Sequence, residues 1–211
     1  MSRAKLALAS VLVVFAVGAV SSASAMAAGQ WYINGSKFTG EESIEGNQTG
    51  TSTLEMTISG IKTKISCTAA TGTGKIKESN KDTSSAIKFT GCTVAEPSGC
   101  KTTSEIKTTA TKTELEVEGE KVFDKYTPES GETFTTIPIE GCAVEGSYKV
   151  TGSARCEIQS PKTEAVEKEC AFSSSTGSKL KFGANTATFT GKFLYKLTGT
   201  NKGKVWSAKT S

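Results

Sequence analysis

The side chains that could do chemistry in this chain include no histidine. Without an imidazole, the Ser-His-Asp and Cys-His arrangements that activate a nucleophile cannot form. A general base would have to be a carboxylate, a lysine or a tyrosine. No set of residues amounts to a catalytic site, so the sequence predicts a protein that is not an enzyme.

Cysteine is the other reactive residue type, and the chain has six of them. They are Cys67, Cys92, Cys100, Cys142, Cys156 and Cys170. An even number behind an export signal predicts disulfides. A metal site is disfavoured because no C-x-x-C pair is present and only an all-thiolate site would be possible. We therefore predict disulfides, no metal and no cofactor.

Six cysteines allow 15 pairings, and loop closure suggests one of them. Two of the suggested pairs each close a short turn-rich or charged loop, and the third is the pair that remains. The predicted bridges are Cys92–Cys100, Cys156–Cys170 and Cys67–Cys142. Each bridge is expected to stabilise the fold by about 2–4 kcal/mol, mainly by restricting the unfolded chain.

Three carboxylates lie close together at Glu114, Glu116 and Glu118. Their i, i+2 spacing places them on one face of a strand, opposite Leu115 and Val117. Paired carboxylates hydrolyse glycosides only when they flank a substrate in a cleft. We interpret this row as a solvated outer face.

Three aromatic residues, Trp31, Tyr32 and Trp206, lie near the two ends of the chain that remains after export. An exposed group of such rings would form a platform for sugar rings. The alternative, which we favour, is that they close the bottom of the sheet and pin the termini. They are kept as candidate ligand contacts.

The elements that must position these residues show the period-2 alternation of strands. Residues 54–58 and 61–67 alternate on either side of Ser59-Gly60, which predicts a hairpin. The clearest strand covers 187–197, and only 163–169 could form a helical turn. The other expected strands are 74–77, 86–92, 104–109, 113–118, 121–126, 133–139, 143–152 and 180–182. The pattern predicts an all-β fold: a single antiparallel β-sandwich or β-barrel domain stapled by disulfides.

The first 25 residues have the features of a signal peptide. Arg3 and Lys5 precede an apolar run at 6–20, and small residues at 21–25 predict cleavage after Ala25, with cleavage after Ala27 as the alternative. The run is short for a membrane span. We predict a cleaved signal peptide at 1–25, a single all-β domain at 26–211, and a secreted protein with no membrane contact after cleavage, either extracellular or associated with the cell surface.

The charge of the chain argues against one class of partner. Without Arg3 and Lys5 it has 23 basic and 21 acidic residues. Nucleic-acid binding usually requires a concentrated basic face, so no nucleic-acid partner is expected.

The chain from about Trp31 to Trp206 resembles a large group of uncharacterised secreted β-rich proteins of soil actinobacteria. The matching positions are Trp31-Tyr32, Asn34-Gly35, Ile65, Cys67, Phe89, Gly91-Cys92, Cys100, Pro128, Cys142, Tyr148, Val150, Gly152, Phe172, Leu180, Ala187, Phe189 and Gly191. The pair Cys156 and Cys170 looks like an addition to that pattern. The resemblance implies export and a β fold, and nothing catalytic.

Three functional hypotheses remain open from the sequence. The first is a non-catalytic secreted or cell-surface protein that binds cell-wall or environmental polysaccharide. The second is a small-molecule carrier whose barrel interior is lined by Phe89, Phe189 and Phe193. The third is a histidine-free hydrolase that uses two carboxylates in a cleft.

Overall fold

The computed structural model describes residues 27–78 and 80–210, and the predicted signal peptide lies outside these ranges. The fold is almost entirely β, with a closed eight-stranded antiparallel barrel, outer strands and three disulfides. Both the all-β prediction and the prediction of disulfide bonds are confirmed. Of the sandwich and the barrel, the structure is the barrel.

The described residues form seventeen strands and one short 3-10 turn at Ser174–Thr176. The strands are β1 (Ala27–Ile33), β2 (Ser36–Lys37), β3 (Glu41–Ile58), β4 (Ile61–Cys67), β5 (Ala69–Lys77), β6 (Lys81–Ser84), β7 (Lys88–Thr90), β8 (Thr93–Glu96), β9 (Glu105–Lys107), β10 (Thr111–Glu118), β11 (Lys121–Pro128), β12 (Thr133–Ile139), β13 (Gly146–Ile158), β14 (Glu167–Phe172), β15 (Lys179–Phe182), β16 (Asn185–Leu197) and β17 (Trp206–Thr210).

The barrel closes through eight antiparallel pairings. Its strands run in the spatial order β3, β16, β14, β13, β11, β10, β6, β5 and back to β3. Because the last strand pairs with the first, this sheet has no free edge within the ring. The side chains that alternate inward along these strands therefore share one interior.

Three long strands, β3, β13 and β16, continue beyond the barrel and build a second group of strands, here called the upper ring. In it β3 pairs with β4, β13 with β12 and β15, and β16 with β15. Along β13 the change of partners occurs at Gly152, whose φ is +97°. A Cβ there would lie 2.0 Å from the carbonyl oxygen of Lys179, so this crossing requires glycine.

A small separate sheet joins the two ends of the described chain. In it β1 pairs with β17 and β2, and the start of β1 also pairs with β10. This sheet presents Trp31 and Trp206 to the barrel interior, where both are buried.

The strand expectations are confirmed where alternation was strong. The hairpin of β3 and β4 turns at Ser59 and Gly60, both with positive φ, and pairs Ile58 with Ile61. The expected helical turn at 163–169 is wrong, because Glu167–Phe172 is strand β14. Its inward residues Lys168, Cys170 and Phe172 alternate, which suits a barrel strand and not a helix.

All six cysteines form disulfides, but two of the three predicted pairs are wrong. The bond between Cys156 and Cys170 is confirmed. The other bonds join Cys67 to Cys92 and Cys100 to Cys142, in place of Cys92–Cys100 and Cys67–Cys142.

Strand pairing explains the corrected connectivity. The residues after Cys92 form β8, which pairs with β4 instead of turning back on itself. This carries Cys100 away to the bridge between Lys101 and Glu140, beside Cys142. Meanwhile β5 pairs with β7, which places the end of β4 next to Cys92.

Within residues 27–78 and 80–210, no helix has the length and apolar character needed to cross a membrane.

Candidate functional site

The interior of the molecule contains two adjacent cavities, and both have mainly apolar walls. One has a volume of about 110 Å³ and lies where the barrel meets the upper ring; we call it the apolar cavity. The other has a volume of about 30 Å³, lies deeper in the barrel and contains carboxylates; we call it the polar cavity.

Aromatic rings form much of the wall of the apolar cavity. The ring of Phe189 lies edge-on to those of Phe89 and Phe172, with centroids 5.8 and 5.2 Å apart. Phe193 completes the group at 5.8 Å from Phe172. The remaining apolar wall residues are Leu54, Ile65, Ile87, Ile106, Phe134, Ile137, Val150, Ala154 and Leu180. The three phenylalanines that the sequence proposed as a lumen lining are thus brought together around one space.

Part of the wall of the apolar cavity lies on the neighbouring strands β9 and β12. No ladder joins these two strands in the described chain. The segments around them are linked by hydrogen bonds from Thr109 N to Phe134 O at 2.6 Å, from Thr109 Oγ1 to Thr133 O at 3.0 Å and from Thr102 Oγ1 to Pro138 O at 2.7 Å. The nearby wall residues Thr108 and Thr135 are only half-buried.

Asp82 is a fixed member of the polar cavity. Its Oδ2 accepts a hydrogen bond of 2.7 Å from Trp31 Nε1, and its Oδ1 accepts one of 2.6 Å from the backbone N of Lys77. Burial, and after it the neighbouring Asp124 carboxylate, raises the pKa of Asp82 to about 8, although the hydrogen bonds from Trp31 and Lys77 act in the opposite direction. When two carboxyls share one poorly solvated cavity, the charge of each makes ionisation of the other less favourable.

Asp124 is less well satisfied. Its Oδ1 is buried without a hydrogen-bond partner among the described residues. Burial raises the pKa of Asp124 to about 6, although hydrogen bonds with the side chains of Tyr126 and Thr113 lower it. An unpartnered buried oxygen is costly, and it marks a place where a donor is expected.

Two tyrosines stand at the boundary between the cavities. The hydroxyl of Tyr126 donates to that of Tyr195 at 3.1 Å, and both residues line both spaces. Burial raises the pKa of each hydroxyl well above its usual value, so both are neutral donors. Gly46 makes room for this arrangement, since a Cβ there would lie 2.4 Å from the ring of Tyr195.

Lys168 is a buried lysine in the wall of the polar cavity. Its Nζ donates to the backbone carbonyls of Ser160 and Thr163, and burial lowers its pKa. It is thus held by backbone oxygens. In the described part of the chain, neither Asp82 nor Asp124 forms an ion pair.

The candidate aromatic contacts Trp31 and Trp206 are inside the protein, with 4% and 1% of their surface exposed. Their ring centroids are 5.0 Å apart. Only Tyr32 faces outward, with Lys209 Nζ 4.8 Å from the centre of its ring. These three residues do not form an exposed platform, and their placement agrees with the alternative in which the rings close the sheet.

The interpretation of the glutamate row is wrong for its middle member. Glu116 is buried, and its Oε2 lies 2.8 Å from Arg155 Nε while its Oε1 lies 2.9 Å from Lys125 Nζ. Arg155 also pairs with Glu118 at 2.8 Å and stacks over the ring of Phe123. A long buried arginine from β13 covers this strand face, which the local spacing could not reveal. Glu114 is exposed as expected.

The two acids that the hydrolase hypothesis requires do converge, at Asp82 and Asp124. The space beside them, however, holds about one or two water molecules and excludes a sugar ring. Among the described residues, no group of three or more His, Cys, Asp or Glu side chains is arranged to hold a metal ion.

Sequence reasoning did not single out Asp82 or Asp124. The sequence did contain an indication for Asp124. On the correctly predicted strand β11 it occupies every second position together with Val122 and Tyr126, so all three side chains point to the barrel interior. A carboxylate at an inward position of an apolar strand face is a candidate site residue.

No protein-family model, curated protein or solved structure matches this chain. The resemblance to secreted actinobacterial proteins therefore stays a prediction, and the function has to be argued from the geometry of the two cavities.

Proposed function

We propose that this protein is an exported carrier that holds a small apolar molecule inside its barrel. The observation that carries the proposal is the apolar cavity of about 110 Å³. Its walls are almost entirely carbon, and four phenylalanine rings surround it edge to face.

The size of this cavity supports a binding role. Protein interiors contain few voids larger than a water molecule. At about 24 cal/mol per Å³, an empty space of this size would cost about 2–3 kcal/mol of stability. A cavity of about 150 Å³ with similar walls stays dry and binds benzene or xenon. The chemical class that fits is a single aromatic ring or a short hydrocarbon chain.

Export is the second part of the proposal. The signal-peptide pattern at 1–25 supports it, as do the three disulfides, which form and persist in oxidising compartments. A carrier outside the cell needs a fold that holds its shape without chaperones. The three disulfides within and around the barrel and the upper ring supply this stability.

The prediction of polysaccharide binding and the prediction that the protein is not an enzyme both stay predictions. The outer surface has a concavity lined by Thr73, Thr83, Glu41 and Lys75, with no aromatic ring in its wall. Without a ring on which a sugar can stack, this surface supports polymer binding less well than the interior supports a carrier.

A calorimetric titration of the oxidised 26–211 protein with ethylbenzene tests the proposal. Saturable binding at one site is expected, and a polyol of similar size should give none. In the variant Ala154→Ile, the added carbons should fill the cavity beside Tyr126 and reduce the affinity by on the order of tenfold or more.

The matched control is Ala171→Ile. Ala171 lies on β14 between the inward residues Cys170 and Phe172, so the same change is made on the outer face. This variant should bind ethylbenzene as the wild type does. Equal binding by wild type and Ala154→Ile, or no binding by the wild type, would contradict the proposal.

A further inference from the structure

We infer that the ligand carries a cationic amine beside its apolar part, and that Asp124 binds the amine in the polar cavity. This inference rests on the proposed carrier function and names the class of ligand: a small arylalkyl or alkyl amine.

The two cavities meet at a shared wall. They share four wall residues, Ile87, Tyr126, Phe193 and Tyr195. The hydrogen-bonded hydroxyls of the two tyrosines lie at this boundary. A ligand whose ring rests among the phenylalanines would therefore direct its other end past the tyrosine pair toward Asp124.

Asp124 presents the group that an amine requires. Its Oδ1 is buried and without a hydrogen-bond partner among the described residues, and the side chain is 9% exposed. Both oxygens of Asp82 already accept hydrogen bonds, whereas Asp124, which is hydrogen-bonded to the side chains of Tyr126 and Thr113, keeps acceptor capacity at Oδ1. An ammonium group donates up to three hydrogen bonds and suits such an acceptor.

At pH 8 the carboxyl of Asp124, with a pKa of about 6, is ionised, and the charged groups nearest to the polar cavity have other partners. Lys168 is bound to backbone carbonyls, and Lys77 lies 3.5 Å from Glu41. The nearby acids of the outer face are already paired, Glu116 with Arg155 and Lys125, and Glu169 with Lys192. A cation is the species that would pair with the carboxylate of Asp124.

The remaining walls suit a cation as well. The rings of Trp31, Trp206, Tyr126 and Phe193 all line the polar cavity. Aromatic faces attract ammonium groups, most strongly where water is excluded. The volume of about 30 Å³ accommodates a group of the size of an ammonium ion, but not a second ring.

Two probes of nearly identical shape test the inference. Benzylamine and ethylbenzene differ in one terminal group, an amine in place of a methyl. At pH 8 the wild type is expected to bind benzylamine at least about tenfold more tightly than ethylbenzene, the effect of a charged hydrogen bond. The variant Asp124→Asn should lose this preference and keep its affinity for ethylbenzene, which also shows that the variant is folded.

Acidification gives a second readout that needs no variant. Lowering the pH from 8 to 5 passes through the pKa of Asp124, about 6, and ends below that of Asp82, about 8, so both carboxyls become neutral. The affinity for benzylamine should fall by about tenfold or more, while that for ethylbenzene stays unchanged.

The outcomes separate the two proposals. Binding of ethylbenzene with no preference for benzylamine would overturn the amine inference and leave the carrier function standing. A preference that survives Asp124→Asn would overturn the role of Asp124. If neither probe binds, the carrier function itself fails.

Discussion

Asp82 and Asp124 are the residues at which folding changes proton affinity most clearly. Burial raises the pKa of both above the ordinary value of 3.8, to about 8 and about 6. A carboxyl with a raised pKa in the folded state favours folding at pH values below its unfolded pKa. This contribution is lost as the pH rises through the folded pKa.

Stability should therefore decrease as the pH rises from about 4 to about 8. We expect the thermal midpoint of the ligand-free protein to fall between pH 5 and pH 8, and the double variant Asp82→Asn/Asp124→Asn to flatten this profile. The exposed acids Glu41, Glu45 and Glu120 have lowered pKa values, but solvent screens their effect.

The matched control for this measurement is Glu114→Gln, which removes an exposed carboxylate from β10. It should leave the slope of the pH profile unchanged. A double aspartate variant with the slope of the wild type would show that these carboxyls are not the source of the pH dependence.

Single residues were predictable from the sequence only where their neighbours in space are also their neighbours in the chain. The prediction that the glutamates at 114–118 form a solvated face was correct for Glu114. It was wrong for Glu116, because the covering Arg155 comes from a strand about forty positions away. The burial of Trp31 and Trp206 likewise depends on the pairing of β1 with β17, which joins opposite ends of the chain.

At the scale of elements, strands with one apolar and one polar face were predicted well. The hairpin of β3 and β4 and the long strand β16 have this pattern. The first half of β3 does not, since its residues from Glu41 to Gly50 are mostly polar. Pairing with β5 and β16 on either side makes it a strand, and this is tertiary information.

The disulfide pairing was predicted wrongly for a related reason. Loop closure treats the chain between two cysteines as a flexible loop, whereas residues Thr93–Glu96 extend as β8 and pair with β4. The bridge Cys156–Cys170 was predicted correctly because β13 and β14 are adjacent antiparallel strands joined by the intervening segment.

A non-reducing peptide map tests this connectivity. The structure predicts linked peptides for Cys67 with Cys92 and for Cys100 with Cys142. Trypsin alone is insufficient, because Cys92 and Cys100 share the peptide 89–101. A second protease that cleaves beside Val94 separates them.

After that double digestion, a fragment that contains Cys92 bound to Cys100 would contradict the strand arrangement around β8. The Cys156–Cys170 pair serves as the internal control, since the sequence and the structure agree on it.

At the scale of the whole molecule, the sequence left the choice between sandwich and barrel open. Closure depends on two short contacts that no local pattern indicates, the pairing of four-residue β6 with β5 on one side and with β10 on the other. These contacts convert a set of hairpins into a ring with one interior. The two cavities exist only because of that closure.

The carrier function depends most on the apolar cavity, which must be empty of protein atoms and open to a ligand. A crystal of the oxidised protein under xenon pressure tests this directly, because xenon enters dry apolar cavities of this size. We predict one strong xenon position bounded by Leu54, Ile106 and Phe189. Phenylalanine rings that fill this space, or ordered water within it, would contradict the carrier function.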